Sequence, residues 1–340
     1  MELTLEILRL IASPYSKTTE PSITSMQAYV QYRYSKKNRM PLLYLDALNR
    51  KSNLHTLEPI YKQEQLRYLK TLTAITRVSL LLAKLDIKHA IFKTVRPYRS
   101  TTVDIDIIIF GGKDEQKLSL KTMIEAGYEL VTCGPMSATL WDKELNIGID
   151  LYEQVAVSSI IYIDKTKLAK YIRSMKLLDK EQIENLSPEA DLACIIAHSI
   201  IKEQMYTLSE YYTFIHYLKQ MNIDNFLQIV RQNNITSATR THASITALLH
   251  KVAHKTIPEE LQQIMERLGE ENFETTRLIQ KDFETPHKYH PITVAKSLLE
   301  IAKGNKTRNS MVTQIYQMLN PRFTKKFLKD IIQHVKRETY

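Results

Sequence analysis

The sequence predicts a mixed α/β core with a small mixed sheet, flanked by an N-terminal helical region and a larger C-terminal all-helical region. Three observations predict it. Short stretches rich in β-branched residues cluster between 87 and 153, each bounded by turn residues. Glycine is scarce, at 7 in 340 residues, while Leu, Ile, Lys, Glu and Gln are plentiful, which favours helix elsewhere. One run, Val103-Asp104-Ile105-Asp106-Ile107-Ile108-Ile109, sets two carboxylates into an otherwise apolar strand. The expected divisions are 1–86, 87–165 and 166–340.

Taken in order, Leu3, Leu5, Ile7, Leu8 and Leu10 start an apolar helix that stops near Ser13-Pro14, and Pro21-Ser22 restarts the chain. Residues 29–39 interleave Tyr29, Tyr32 and Tyr34 with Arg33, Lys36, Lys37 and Arg39. Such a stretch can stack bases, or form a surface helix that buries its tyrosine stems. Leu66, Leu69, Leu72, Ile75 and Leu82 fall near helical spacing in a run without Gly or Pro, predicting a helix over 63–85 that ends at Asp86. Ile87–Phe92 reads as a short strand. A basic, hydroxyl-rich turn, Lys93–Thr102, leads into the two-carboxylate strand, which Gly111-Gly112 closes.

Asp114 is placed to cap a helix that runs to Ala126 and stops at Gly127. Strands are expected over 128–133, 138–143 and 146–152, so 87–153 reads β-turn-β-α-β-β-β. From Lys165 onward the pattern predicts helices only. Ser187-Pro188-Glu189 is a helix start, followed by a stripe of Leu192, Ile195, Ile196 and Ile200. Further helices are expected at 207–220, 223–232, 240–252, 259–268, 291–303, 308–319 and 323–337.

Composition narrows the function. At 44% hydrophobic and 25% charged the chain is globular, and no apolar run is long enough to span a bilayer. The N-terminus lacks a basic n-region and carries acids early, so no signal peptide is expected. Two cysteines, Cys133 and Cys194, make neither a disulfide framework nor a zinc site, and both are expected to be buried. A cytoplasmic protein follows. The net charge of +10 favours polyanionic partners such as RNA or nucleotide phosphates. Nine Lys/Arg against three acids concentrate it in 300–340, as an RNA-binding surface or a solvated helix face.

The chemistry centres on the carboxylates. Strand side chains alternate, so Asp104 and Asp106 share a face about 7 Å apart, opposite Val103, Ile105 and Ile107. Two readings stand: a divalent cation between them, or two aspartates at the solvent-facing end of an edge strand. Asp150 sits in a later strand with Gly148 and Tyr152 on its face. If these strands are adjacent, three carboxylates converge, as two-metal nucleotidyl transfer requires. Lys93, Arg96 and Arg99, with Thr94 and Ser100, suit a triphosphate tail.

In order and spacing, Phe92-Lys93-Thr94, Asp104-Ile105-Asp106 and Ile149-Asp150-Leu151 resemble the nucleotidyltransferase superfamily of polymerase β-like fold. The closer resemblance, over about 40–220, is to the uncharacterised nucleotidyltransferase family of bacteria and archaea, with Glu125-Ala126-Gly127-Tyr128 and Ala197-His198 as further matches. The resemblance implies that Asp104, Asp106 and Asp150 are catalytic and ligate Mg²⁺ or Mn²⁺. It implies that Lys93 and Thr94 stand where the family's small-residue turn holds the phosphates. One departure is plain: the family's turn carries glycine, and 87–110 contains none.

Other clusters have two readings each. His198, Lys202 and Glu203 face the cleft or form a helix-surface cluster. Tyr206, Tyr211, Tyr212 and Tyr217 are expected in the core rather than as a stacking platform, and His242, His250 and His254 are not expected to bind metal. The expected function is metal-dependent transfer of an NMP from an NTP to RNA, a protein or a small molecule, releasing pyrophosphate. The alternative is a catalytically silent module of the same fold that binds nucleotide or RNA.

Overall fold

The computed structural model describes residues 3–16, 23–177, 181–321 and 324–325. The N-terminal apolar run forms α1 (Leu3–Ile11). Next, α2 (Ser25–Lys37) is started by a capping box between Thr24 and Gln27, and α3 (Pro41–Arg50) by a proline in its first turn. Then α4 (Glu58–Lys84) follows, with only part of its stripe in a core: Leu72, Ile75 and Leu82 are buried, whereas Leu66 and Leu69 are half exposed.

The α/β unit has the predicted order: β1 (His89–Ile91), β2 (Asp104–Ile109), α5 (Lys113–Glu125), β3 (Glu129–Cys133), β4 (Ser137–Asp142) and β5 (Ile147–Tyr152). Val103 lies just outside β2 and is exposed. Gly112, not Asp114, is the N-cap of α5, because Glu115 folds back to accept the Gly112 N–H. Gly127, at φ +97°, allows the turn after α5 that a side chain would strain.

After residue 153 two further strands appear before Lys165, and beyond Lys165 the expectation of helices alone is corrected. β6 (Val155–Val157) and β7 (Ile160–Ile163) make a small antiparallel pair. β8 (Ile172–Leu177) and β9 (Glu181–Leu186) join the main sheet, β9 running parallel to β1. The seven-stranded order is β3-β4-β5-β2-β1-β9-β8. Seven of their twelve residues are polar, Arg173, Ser174, Lys176, Glu181, Gln182, Glu184 and Asn185, some of them adjacent, so neither strand shows an apolar run or a clean alternation.

The remainder is helical: α6 (Pro188–Ala197) continuing into one π-helical turn over 198–202, α7 (Leu208–Leu218), α8 (Ile223–Gln232), α9 (Thr236–His254), α10 (Glu259–Leu268), α11 (Phe273–Gln280), α12 (Pro291–Ile301) and α13 (Asn305–Met318). A two-residue strand pair, β10 (Met205–Tyr206) with β11 (His287–Lys288), links α6 to the later helices. α11 escaped sequence reading because Glu274, Thr275, Thr276 and Arg277 interrupt its stripe. Apart from 324–325, the expected helix at 323–337 lies outside the described residues, as does Pro21-Ser22.

The sheet separates two cores. Ile105, Ile107 and Ile109 point toward α4 and α5, packing with Ile75, Val78, Leu82 and Met123. Ile108, with Ala90, Phe92 and Tyr152, points the other way into a larger core shared by α1–α3 and the C-terminal helices. Asp104 and Asp106 alternate onto that second face. Cys194 is buried as expected; Cys133 is exposed, because β3 is an edge strand and every residue of it is exposed. Tyr206, Tyr211, Tyr212 and Tyr217 are core residues. Among the described residues no helix is long and apolar enough to cross a membrane.

Candidate functional site

The register brings the carboxylates together. β2 and β5 pair in parallel with Asp106 beside Asp150 and Asp104 beside Gly148. Three carboxylates therefore occupy neighbouring positions on one face near the sheet's centre, and the edge-strand reading is excluded. Asp104 and Asp106 line a cleft of about 250 Å³ between this face and the helices. Asp150 flanks the cleft rather than lining it, its Oδ1 accepting the Thr139 hydroxyl at 2.5 Å.

Each carboxylate has its own electrostatics. Asp104 is pushed up to about 7 by burial and by its neighbours Asp106 and Asp150. Its carboxylate receives no hydrogen bond from the described residues, whose contacts with Asp104 are to its backbone. Asp150 is raised by burial and by Asp106, partly offset by Thr139. Asp106 goes the other way. Burial would raise it, but Lys93, whose ammonium is 3.1 Å from Oδ1, together with His198 and Lys202 outweighs burial and holds it below the usual carboxylate range.

Lys93 is the pivot of the site. Its side chain is only 5% exposed. Nζ also lies 3.2 Å from His198 Nδ1 and over the rings of Phe92 and Tyr152, at 4.6 and 5.0 Å. Its backbone has φ +58°, the left-handed region that costs a non-glycine residue about 1 kcal/mol. Thus the turn adopts a glycine-like conformation without glycine. Asp191, buried on α6, holds it there: Oδ1 accepts the Lys93 N–H at 2.5 Å and Oδ2 accepts the Tyr217 hydroxyl at 2.9 Å. Sequence reasoning missed Asp191, because an acid in the first turn of a helix already has an explanation in the helix dipole.

The other predicted residues divide. The Thr94 hydroxyl accepts the Asp106 N–H at 2.9 Å and donates to the Phe92 carbonyl, tying the turn to β2. Arg96 and Ser100 line the cleft, and Arg96 donates to the Thr213 hydroxyl at 3.3 Å. Arg99 does not line it. Its guanidinium pairs with Asp46 on α3 at 2.9 Å and lies over the Tyr68 ring.

His198 and Lys202 on the π-helical turn, and Glu203 just after it, lie in the cleft lining. His198 is held neutral, pushed down to about 3 by burial and by Lys93. Its Nε2–H faces Glu203 Oε1 at 3.2 Å, leaving Nδ1 to accept from the Tyr162 hydroxyl and Lys93. Burial would raise Glu203, but His198 and Arg39, 2.9 Å away, hold it ionised. Across the described lining, six basic side chains (Lys36, Arg39, Arg67, Lys93, Arg96 and Lys202) face four acids, Asp104, Asp106, Glu203 and Glu210.

The donor set suits a hard divalent cation, because the carboxylates are crowded enough to raise Asp104 and that charge surplus is what such an ion relieves. Among the described residues, no three His, Cys, Asp or Glu side chains already converge as a metal-binding group, the His242, His250 and His254 set included.

No family model matches this sequence, and no curated protein matches it. Among solved structures, the chain is similar to an antigenic nucleotidyltransferase-like protein from Paracoccidioides brasiliensis, at 12% identity and TM-score 0.30, over 66% of this chain and 96% of that one. It is also similar to a STING-associated CdnE c-di-GMP synthase from Capnocytophaga granulosa, at 12% identity and TM-score 0.32, over 85% and 98% of the two chains. Likenesses this distant carry no argument, and the site stands on its own geometry.

Proposed function

We propose that this protein is a metal-dependent nucleotidyltransferase, which moves an NMP from an NTP to an acceptor and releases pyrophosphate. The observation that carries the reading is the parallel register of Asp106 with Asp150, which sets three carboxylates on one face beside a predominantly basic cleft. Asp104, Asp106 and Asp150 would hold Mg²⁺ or Mn²⁺, which when bound supplies charge stabilisation at the reacting phosphate. Lys93, Arg96 and Ser100 face the same space and would bind the triphosphate. Thr94 keeps the turn docked on β2, so its role is positioning. Arg39 is paired with Glu203 and Arg67 with Glu64, so Lys36 and Lys202 supply the positive charge that suits the cleft to an anionic acceptor, and RNA fits that chemistry best among RNA, protein and small molecules.

A second reading has a specific observation behind it. The Lys93 N–H points to Asp191 rather than into the cleft, and the Thr94 hydroxyl is used internally, so the turn offers fewer donors to phosphate than a glycine turn would. A module that binds nucleotide or RNA without turnover is consistent with that.

One experiment separates the two. Each α-labelled NTP is incubated with the protein, Mg²⁺ or Mn²⁺ and total RNA, and label is followed into RNA, protein and small-molecule fractions. The enzyme reading expects transfer that falls at least about 100-fold in Asp104→Asn. Measurable NTP binding that ignores metal, with no transfer to any fraction, would leave the silent module as the answer.

A further inference from the structure

Helix α2 stands beside the cleft and presents a face that the site does not use. Met26, Tyr29, Val30, Arg33, Lys36 and Lys37 are all exposed, and their helical spacing puts them on one side. Lys36 also lines the cleft, so this face runs into it. The tyrosines of the helix divide. Tyr32 is buried, and the Tyr34 hydroxyl accepts the Thr285 N–H at 2.8 Å, so both serve the fold. Tyr29 is 45% exposed, between Met26 at 73% and Val30 at 43%. The charge on this face is of one sign. No acid occurs between Glu20 and Asp46. Among the described residues neither Arg33 nor Lys36 has a carboxylate partner. The helix dipole accounts for the two lysines of the last turn, but not for Arg33 or for an aromatic ring turned to solvent.

We propose that this face of α2 is a docking surface for single-stranded RNA, with a base stacked on Tyr29 and phosphates held by Arg33 and Lys36. The three residues form a row about 10 Å long, at 1.5 Å of rise per residue, and its Lys36 end opens into the cleft. An aromatic ring with cations beside it holds a single strand by stacking and charge, without reading its sequence. A duplex hides its base faces and gives Tyr29 nothing to stack on. An anionic bilayer would also meet cations and apolar side chains here, but it cannot follow the row down into a cleft. The choice of RNA deepens the proposed function and rests on it, since that reading is what gives the cleft an anionic acceptor.

The test is fluorescence anisotropy of the full-length protein with a short labelled single-stranded RNA of mixed sequence, across a range of salt, without NTP or metal. Wild type is expected to bind this RNA less tightly as salt rises, and to prefer it to the same sequence in a duplex. Tyr29→Ala is expected to weaken binding about 10-fold at every salt concentration. Arg33→Ala is expected to lower the slope of log affinity against log salt by about 0.7, the share of one phosphate contact. Both side chains are exposed, so the melting temperatures are expected to match wild type. Wild type that binds no RNA overturns the proposal, as does unchanged RNA affinity in the double variant Tyr29→Ala/Arg33→Ala. If that double variant instead loses binding to vesicles of phosphatidylserine and phosphatidylcholine, the face belongs to a membrane. Nucleotidyl transfer is followed separately. RNA binding that depends on Tyr29, with no transfer to any acceptor, would defeat the proposed function and leave the α2 surface standing. Transfer that the double variant performs as well as wild type, with unchanged RNA affinity, would do the reverse.

Discussion

Two buried carboxylate clusters in this molecule make an instructive pair. Glu274 on α11 is 0% exposed, and its oxygens are saturated: it accepts from His287 Nε2 at 2.7 Å, the Thr293 hydroxyl at 2.6 Å, the His290 N–H at 2.7 Å and Arg277 at 2.7 Å. Burial would raise it, yet these partners pull it down to about 2. At the cleft the balance is reversed. Asp104 has no donor on its carboxylate among the described residues and rises to about 7. Donors aimed at Glu274 make it part of the framework that holds α11, β11 and α12 together. Carboxylates that crowd one another without enough donors are left with capacity for something absent from the fold.

That contrast can be broken by substitution. The largest effect is expected at Glu274. Glu274→Ala leaves Arg277, His287 and Thr293 facing a void, and urea denaturation is expected to show a loss of about 3–5 kcal/mol. Asp104→Asn is expected to do the opposite: stability unchanged or higher, because a repelling charge is removed, with the loss confined to nucleotidyl transfer. A melting temperature that drops in Asp104→Asn as far as in Glu274→Ala would show that the contrast is mistaken.

Asp191 tests the link between the two kinds of carboxylate, since it is saturated and buried yet serves the cleft. Asp191→Ala strands the Lys93 N–H, and a loss of about 1–3 kcal/mol is expected in the same denaturation assay. NTP affinity should fall with it, measured by calorimetry. Unchanged NTP affinity would detach the turn from nucleotide binding.

The smallest effect is a pH dependence from the helical region. Burial holds His242 down to about 3, and His216 and His254 down to about 4, against 6.5 in the unfolded chain. The unfolded state therefore takes up these protons first as pH falls. The associated stability is complete above about pH 6.5 and is lost progressively toward pH 4, by up to about 1.4 kcal/mol per pH unit for each histidine. Melts from pH 7.5 to 4.5 should show this slope, and His242→Phe should flatten it. A flat wild-type profile would remove the histidines from the account.

Much of the site was legible in the sequence. The strand carrying Asp104 and Asp106 follows from β-branched residues closed by two glycines, and period-two alternation puts both acids on one face whatever surrounds them. Gly127 ends α5 for an equally local reason. What stayed hidden depended on residues far apart in the chain. β8 and β9 lack an apolar pattern and exist as strands because the β1 edge offers them partners. Arg99 stands six residues from Lys93 in the same basic turn, but Asp46 draws it away.

By itself, then, the sequence determined the local periodicities: the first five strands, most of the helices, and which acids share a face. Only the tertiary structure decided that β5 lies parallel beside β2, so that Asp150 completes the trio. It also decided that Asp191, 98 residues on, holds Lys93 in a glycine's conformation with its ammonium on Asp106. The physical reason is range. Alternation and capping act over a few residues, whereas the charge balance of a buried carboxylate is set by whichever donors the folded chain brings within about 3 Å.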